Sequence, residues 1–351
     1  MAYILRLPLS QILVVIISVV AASAVIAATG YNIIYVFTEL VYGAFGTPYY
    51  FSETIARATP LILTGLAFTV AIKGGYWNIG GEGQAWVGAM FAVTIGIFAD
   101  LPFPLHAIVA ALGALVGGAL WGFIPGVLKA KLEVNEVLTT LMMNYVAYWL
   151  AYYVINWPLK DRTIYAQQTY FIKSSAIFPP LAAGLRAHSF LIVALICAIV
   201  AQLILSRTRF GQEILSLGSN LAAARSGGVN VGRTYTKISL VSGALAGLAG
   251  GSEVLGFMHN LDIFKLAGLG YLGIGVSVLG VNAIGAIFAA VFVGALVSGA
   301  DNLQRALGLR VSDAAVNVFT GTAIMCALLV PAMLIRLQRV WKLRGKKRVR
   351  T

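Results

Sequence analysis

Long apolar runs separated by short polar breaks dominate the chain. A membrane-spanning helix needs about 20 apolar residues, and Leu9–Ala28 is the first run of that length. A polar and aromatic segment follows over 30–59, with Glu39, Glu53 and Arg57. Further apolar runs lie at Pro60–Ile72, Ala85–Ala99, Leu105–Val127, Val137–Ile155 and His188–Leu205. After a basic stretch over 206–237 come Ile238–Phe257, Ala267–Leu279, Ala283–Gly299 and Val316–Ile335. The pattern predicts an all-α polytopic membrane protein with about ten transmembrane helices. The runs at 60 and 267 are short, so they are either extended by flanking residues or interrupted helices. Arg6 before the first run and the small residues at 21–28 imitate a signal peptide. That run is longer than the usual ~7–15 residues of such a segment, which favours a retained helix.

Composition agrees with this reading. Of 351 residues, 60% are apolar and 11% charged, against roughly 25% charged in soluble domains. No polar stretch is long enough for a soluble domain, so residues 1–351 form a single transmembrane domain. Its parts are an N-terminal helix and extracytoplasmic segment (1–59), a first half (60–205), a cytoplasmic segment (206–237), a second half (238–335) and a basic tail (336–351). The net charge of +13 is concentrated: the tail holds eight basic residues and no acid, and 206–237 holds five basic residues and one acid. Beside membrane spans such charge reads as positive-inside topology and attraction to anionic lipid, not as nucleic-acid binding. Ten crossings with the N-terminus inside put both basic regions and both termini in the cytoplasm, and leave the outer loops nearly neutral.

Cys197 and Cys326 sit inside apolar runs, as small buried hydrophobes rather than a disulfide. His106, His188 and His259 have no metal-ligand spacing. There is no nucleophile elbow, Walker motif or dinucleotide fingerprint. These absences speak against an enzyme and against a bound cofactor.

The break Gly74–Met90, GGYWNIGGEGQAWVGAM, concentrates the candidate chemistry. A carboxylate at mid-membrane costs roughly 2.5–3.5 kcal/mol on the insertion scale, so Glu82 needs a wet cavity, a donor or an interface. Glycines free backbone groups that also need partners. Asn78, Glu82 and Gln84 therefore suit irregular backbone lining a cavity, though a solvated loop fits the same residues. Tyr76 and Trp77 could stack on a flat ligand or anchor at an interface. Gly75-Tyr76-x-x-Ile79-Gly80 recurs as Gly270-Tyr271-x-x-Ile274-Gly275, beside the second short run. In the topology above the two copies run in opposite directions. They suggest an inverted repeat, with Tyr271 matching Tyr76 at a transport site.

Two more clusters stand out. Asn135 and Glu136 suit a helix start as cap and dipole partner. Asn144, two turns further in, either bonds a neighbouring helix or reads a substrate. Glu253 is a further carboxylate near a span end. In 206–237, Asn220 fits an N-cap, Leu221–Ser226 a short helix, and Gly227-Gly228 its stop. A short basic helix between spans suits docking on a partner, and a solvated amphipathic loop is the plainer alternative.

Three stretches occur together: Asn78-Ile79-Gly80-Gly81-Glu82-Gly83-Gln84, Val134-Asn135-Glu136-Val137-Leu138-x-Thr140-x-Met142-x-Asn144-Tyr145, and Gly218-x-Asn220-x-x-Ala223-Ala224. From about residue 50 to 335 the chain resembles the integral-membrane permease subunits of bacterial ATP-binding-cassette importers. The branch is the one for simple sugars, branched-chain amino acids and nucleosides, and the nucleoside-uptake subgroup is the nearest likeness. The resemblance implies a multi-pass subunit of the bacterial inner membrane that hydrolyses nothing itself. ATP-Mg would bind a separate cytoplasmic ATPase. It implies a second, different permease and an extracytoplasmic substrate-binding protein. It makes 218–229 a coupling helix, with Gly218, Asn220, Ala223, Ala224 and Arg225 at the ATPase contact. It puts Tyr76, Trp77, Asn78, Glu82, Gln84, Asn144 and Tyr271 along the substrate pathway. Within that set, Glu82 is better read as holding the broken helix through backbone contacts, with Asn78 and the aromatics nearer the ligand. The chain departs from the usual Lys-Ala-Gly-Leu-Phe with Lys73-Gly74-Gly75-Tyr76-Trp77, which leaves a sugar or amino-acid substrate open. An ion-coupled secondary transporter, with Glu82 as coupling carboxylate, and an assembly protein without a pathway are the rival classes.

Overall fold

The computed structural model describes residues 32–307. The expected spans Leu9–Ala28 and Val316–Ile335, Cys326 and the basic tail lie outside them. Among the described residues the regular structure is helical, with three isolated β-bridges. The helices are α1 Ile33–Phe45, α2 Pro48–Lys73, α3 Gly81–Phe98, α4 Leu105–Leu132, α5 Glu136–Asn156, α6 Phe190–Arg207, α7 Arg209–Ser219, α8 Leu221–Ser226, α9 Val231–Ser252, α10 Leu269–Gly280 and α11 Ala283–Leu307. A π-turn, Glu253–Met258, continues α9. Among the described residues, five stretches are long and apolar enough to cross a membrane: Pro48–Lys73, Leu105–Leu132, Phe190–Arg207, Val231–Met258 and Ala283–Ala306.

Side-chain caps fix several helix starts. Asn32 accepts from the Ile34 and Tyr35 amides, and Asn135 from those of Val137 and Leu138. Thr208, Asn220 and Asn230 accept from Gly211, Ala223 and Arg233. Each oxygen satisfies an amide that has no partner within its helix. Pro60, read from the sequence as the start of a short run, lies inside α2. The polar residues before it disguise the helix, because Ser52, Glu53 and Thr54 are buried in protein rather than exposed to lipid.

The chain divides into two compact units, one of 1–50 with 296–351, the other of 51–295. In the first, Asn302 Nδ2 donates to the Glu39 carbonyl and to Glu39 Oε2, both at 3.1 Å. Ser298 Oγ donates to the Gly43 carbonyl at 3.0 Å. Gly43 and Gly299 leave room for Asn302 and the Leu40 backbone.

In the second unit α9 is central. It meets α4 along a stripe of glycine: a Cβ on Gly247 would fall 2.3 Å from the Ala114 carbonyl oxygen, and one on Gly243 2.4 Å from that of Gly118. It meets α3 in the same way, since a Cβ on Gly250 would fall 1.9 Å from the Ala85 carbonyl oxygen. Small residues let helix backbones touch where lipid supplies no hydrophobic drive for association. The outer faces are apolar: Ile192, Ile196, Ile199 and Leu203 are exposed along α6, as are Ile108, Leu112, Val116 and Leu120 along α4. Their spacing of three and four residues makes one stripe per helix, suited to acyl chains.

The long connection from α5 to α6 is stitched onto the end of α9. The Ile172 amide donates to the His259 carbonyl, and the Phe178 amide to that of Leu255. Lys173 pairs with Asp100, which holds that carboxyl below its ordinary range.

Candidate functional site

The glycine-rich break becomes a short non-helical link between α2 and α3. Gly75 turns the chain with φ of 70°, a conformation that suits glycine. The Asn78 side chain then closes on itself. Its Nδ2 donates to Gln84 Oε1 at 2.9 Å and to Ser242 Oγ at 2.7 Å. Its Oδ1 accepts from the Gly80 amide at 3.0 Å and from Gln84 Nε2 at 3.1 Å. Ser242 passes its own proton to the Ala67 carbonyl at 2.7 Å. Asn78 and Gln84 thus form a reciprocal amide pair that ties the break to α2 and α9, and Asn78 has no hydrogen-bonding capacity left over.

Glu82 stands in the first turn of α3 and faces the start of α10. Its Oε1 accepts from the Gly268 amide and its Oε2 from the Gly270 amide, each at 2.7 Å. These are charge-assisted bonds at a helix N-terminus, where the dipole favours an anion. Gly270 must be glycine for this, because a Cβ there would fall 2.1 Å from the Glu82 amide nitrogen. Gly81 and Glu82, just after the first Gly-Tyr copy, therefore pack against Gly270 at the start of the second, although 75–80 is a link and 270–275 lies in α10.

Asn144 bridges three elements. Its Oδ1 accepts from the Gly83 amide at 2.8 Å; its Nδ2 donates to the Ile79 carbonyl at 3.0 Å and to Tyr271 Oη at 3.2 Å. Thr140, one turn earlier on α5, accepts from the Ile79 amide at 3.2 Å. Asn135 caps α5, and Glu136 pairs with Lys129 at 2.8 Å across the α4–α5 turn. Tyr76 is fully buried, its hydroxyl 3.1 Å from that of Ser239. Of the residues expected along the pathway, Trp77 and Tyr271 are the exposed ones, at 50% and 44%.

Reading the sequence missed Thr140, Ser239 and Ser242 as partners of this frame. Their signal was there: three hydroxyl residues on the inner faces of otherwise apolar helices.

The 218–229 segment lies directly beneath. Asn220 caps α8 through the Ala223 amide at 3.1 Å. Ala224 is buried; Leu221, Ala223 and Arg225 are exposed. Gly218, near the end of α7, packs on the turn that opens the Asn78 link: a Cβ there would fall 2.0 Å from the Lys73 carbonyl oxygen. The end of α7, which leads into the exposed short helix, thus touches the turn that closes α2.

These features define an all-helical, multi-pass membrane protein built around a broken helix that is braced by side chains. The chain belongs to the family described as branched-chain amino acid transport system / permease component, which matches residues 50–330. It is a transport component rather than an enzyme. It is 36% identical over 307 residues to the guanosine ABC transporter permease protein NupP of Bacillus subtilis, covering 86% of this chain and 88% of that one. It is 32% identical over 365 residues to the nucleoside ABC transporter permease protein NupB of Lactococcus lactis, covering 97% and 98%. The glucose ABC transporter permease protein TsgB13 of Haloferax volcanii is 33% identical over 285 residues, covering 78% and 74%. No solved structure matches the chain.

Proposed function

We propose that this chain is a permease subunit of an ATP-driven importer in the bacterial inner membrane, and that it passes nucleosides. The contact of Gly218 with the Lys73 carbonyl carries the reading. It joins the segment bearing the exposed Arg225 to the break between α2 and α3, a linkage that an importer driven by a cytoplasmic ATPase needs and a secondary transporter does not. The nucleoside assignment rests on likeness to the guanosine and nucleoside permeases. The glucose permease keeps sugar as the second reading.

In this scheme ten helices cross the membrane, both termini are cytoplasmic, and the two Gly-Tyr copies are the paired breaks of an inverted repeat. Residues 60–205 and 238–335 are its halves, with 206–237 as the coupling segment between them. Asn78, Glu82, Gln84, Asn144 and Tyr76 form the rigid wall of the pathway, and Trp77 and Tyr271 present aromatic surface to the ligand. Gly218, Asn220, Ala223, Ala224 and Arg225 form the contact with the ATPase, which holds ATP-Mg. A second, different permease and an extracytoplasmic binding protein complete the assembly.

Reconstituting the chain with its ATPase and partner permease in liposomes tests this. Labelled guanosine should accumulate with ATP and stop with vanadate, and labelled glucose should not accumulate. Vanadate-insensitive uptake driven by a proton gradient would overturn the importer reading. In the same system Arg225→Glu should abolish co-purification of the ATPase while leaving membrane insertion intact; an unchanged yield of ATPase would refute the docking role.

A further inference from the structure

A second polar cluster lies away from the Asn78 frame. Along α9 the frame is anchored at Ser242, and Glu253 follows eleven residues later, about 16 Å along the helix axis. Here the helix widens into the π-turn Glu253–Met258, and His259 ends it in a left-handed conformation with φ of 61°. π-turns are rare, and many mark functional sites. Glu253 and His188 are buried, yet Glu253 Oε2 and both ring nitrogens of His188 have no hydrogen-bond partner. The neighbouring Ser189 Oγ has none either. Buried polar atoms are nearly always paired, and leaving one unpaired costs free energy. Several together call for an explanation.

The surroundings give it a shape. The His188 ring lies on Gly256, where a Cβ would fall 2.2 Å from Nδ1. Phe257 carries the guanidinium groups of Arg57 and Arg186 over its ring, at 4.7 and 4.6 Å from the centroid. Arg57 also acts electrostatically on Glu253. Phe257, Met258 and His259 are half-buried and Arg186 is exposed, so the cluster approaches solvent on that side. As a neutral imidazole, the buried His188 ring offers one donor and one acceptor nitrogen. Glu253 is opposed by the charge of Arg57, so a charged ligand would upset that pairing and a neutral one would not.

We propose that this cluster is an occluded binding site for a neutral ligand that brings two adjacent hydrogen-bond donors to Glu253 and His188, with Phe257 and its two arginines as the cover. On a nucleoside, such a donor pair is either the vicinal ribose hydroxyls or the N–H edge of the base. The site rests on the reading of the chain as a nucleoside permease and deepens it, giving the pathway a second station beyond the Asn78 frame.

The test uses the reconstituted complex with labelled guanosine. Unlabelled guanosine, 2′,3′-dideoxyguanosine and 1-methylguanosine serve as competitors. In the wild type one of the two analogues should compete about tenfold less well than guanosine, and which one does so identifies the donor pair. Glu253→Gln replaces one carboxylate oxygen with an amide donor and removes the negative charge that strengthens the bond to a ligand donor. It should raise the KM for guanosine about tenfold and remove the discrimination against that analogue, in protein that still co-purifies with its ATPase. If the wild type imports guanosine while E253Q keeps both KM and discrimination, this site is overturned and the importer reading stands. If both analogues compete as well as guanosine in the wild type, no donor pair is read and the site is overturned without any variant. If the wild type imports no nucleoside, both readings fail together.

Discussion

Glu82→Ala is expected to reduce transport to background and to yield a permease that melts well below the wild type in detergent. The carboxylate accepts from the amides of Gly268 and Gly270, at 2.7 Å each. A hydrogen bond to a charged group contributes about 1.5–3 kcal/mol. Truncation also strands two amides at the start of α10, where water reaches poorly because Gly270 packs against the Glu82 backbone. The combined loss is about 3–5 kcal/mol, a large fraction of the stability of a typical domain. Glu82→Gln keeps one acceptor oxygen and the side-chain volume, so it should fall between Ala and wild type. Thermal unfolding followed by size-exclusion chromatography, with guanosine uptake alongside, ranks the three. Wild-type melting of E82A would show that Glu82 does not brace the fold. If E82A melts low while E82Q transports normally, bracing rather than ligand contact is the role of this residue.

The pairing of Glu82 with backbone amides was partly legible in the sequence. A carboxylate among five glycines in an apolar chain had to be paired, and a pairing with backbone was the preferred reading. What the sequence could not supply was the partner, because Gly268 and Gly270 are about 190 residues away and carry no side chain to mark them. Asn78 was expected nearer the ligand, yet all its hydrogen-bonding capacity is spent on Gly80, Gln84 and Ser242. An asparagine on a motif reads alike whether it faces a ligand or a neighbouring helix, so only the geometry separates the two. Helix caps were legible at Asn135 and Asn220 because a cap is local, its oxygen and amide lying within three residues of each other. The continuity of α2 through Pro60 was not, since polar residues buried against protein look to a hydropathy reading like residues in a loop. The π-turn after Ser252 left no trace either. A π-turn arises from packing, and the amino acids from Glu253 to Met258 would pass for an ordinary apolar helix end.

Gly218→Val should uncouple the transporter while leaving its ATPase attached, and this separates the proposed wall of the pathway from the proposed docking surface. At Gly218 the end of α7 touches the turn at the end of α2, and a Cβ would fall 2.0 Å from the Lys73 carbonyl oxygen and 2.9 Å from its carbonyl carbon. Backbone atoms at that distance cannot yield as a flexible side chain would. A valine must push α7 off the turn, an overpacking cost of about 1–3 kcal/mol or more. Gly75, two residues beyond Lys73, already turns the chain at φ of 70°, so displacement there passes into the link that holds Asn78. The exposed face of α8, with Arg225, is untouched by the change. The expected result is normal co-purification of the ATPase, at least a tenfold loss of guanosine uptake, and ATP hydrolysis that no longer responds to substrate. Tenfold corresponds to about 1.4 kcal/mol, so even the lower part of the steric cost, spent at this contact, is enough. Arg225→Glu gives the opposite signature, with the ATPase lost and the Asn78 link undisturbed. Wild-type uptake by G218V would show that the contact between α7 and the Lys73 turn transmits nothing, and the case for an ATP-driven stroke through this segment would then rest on Arg225 alone.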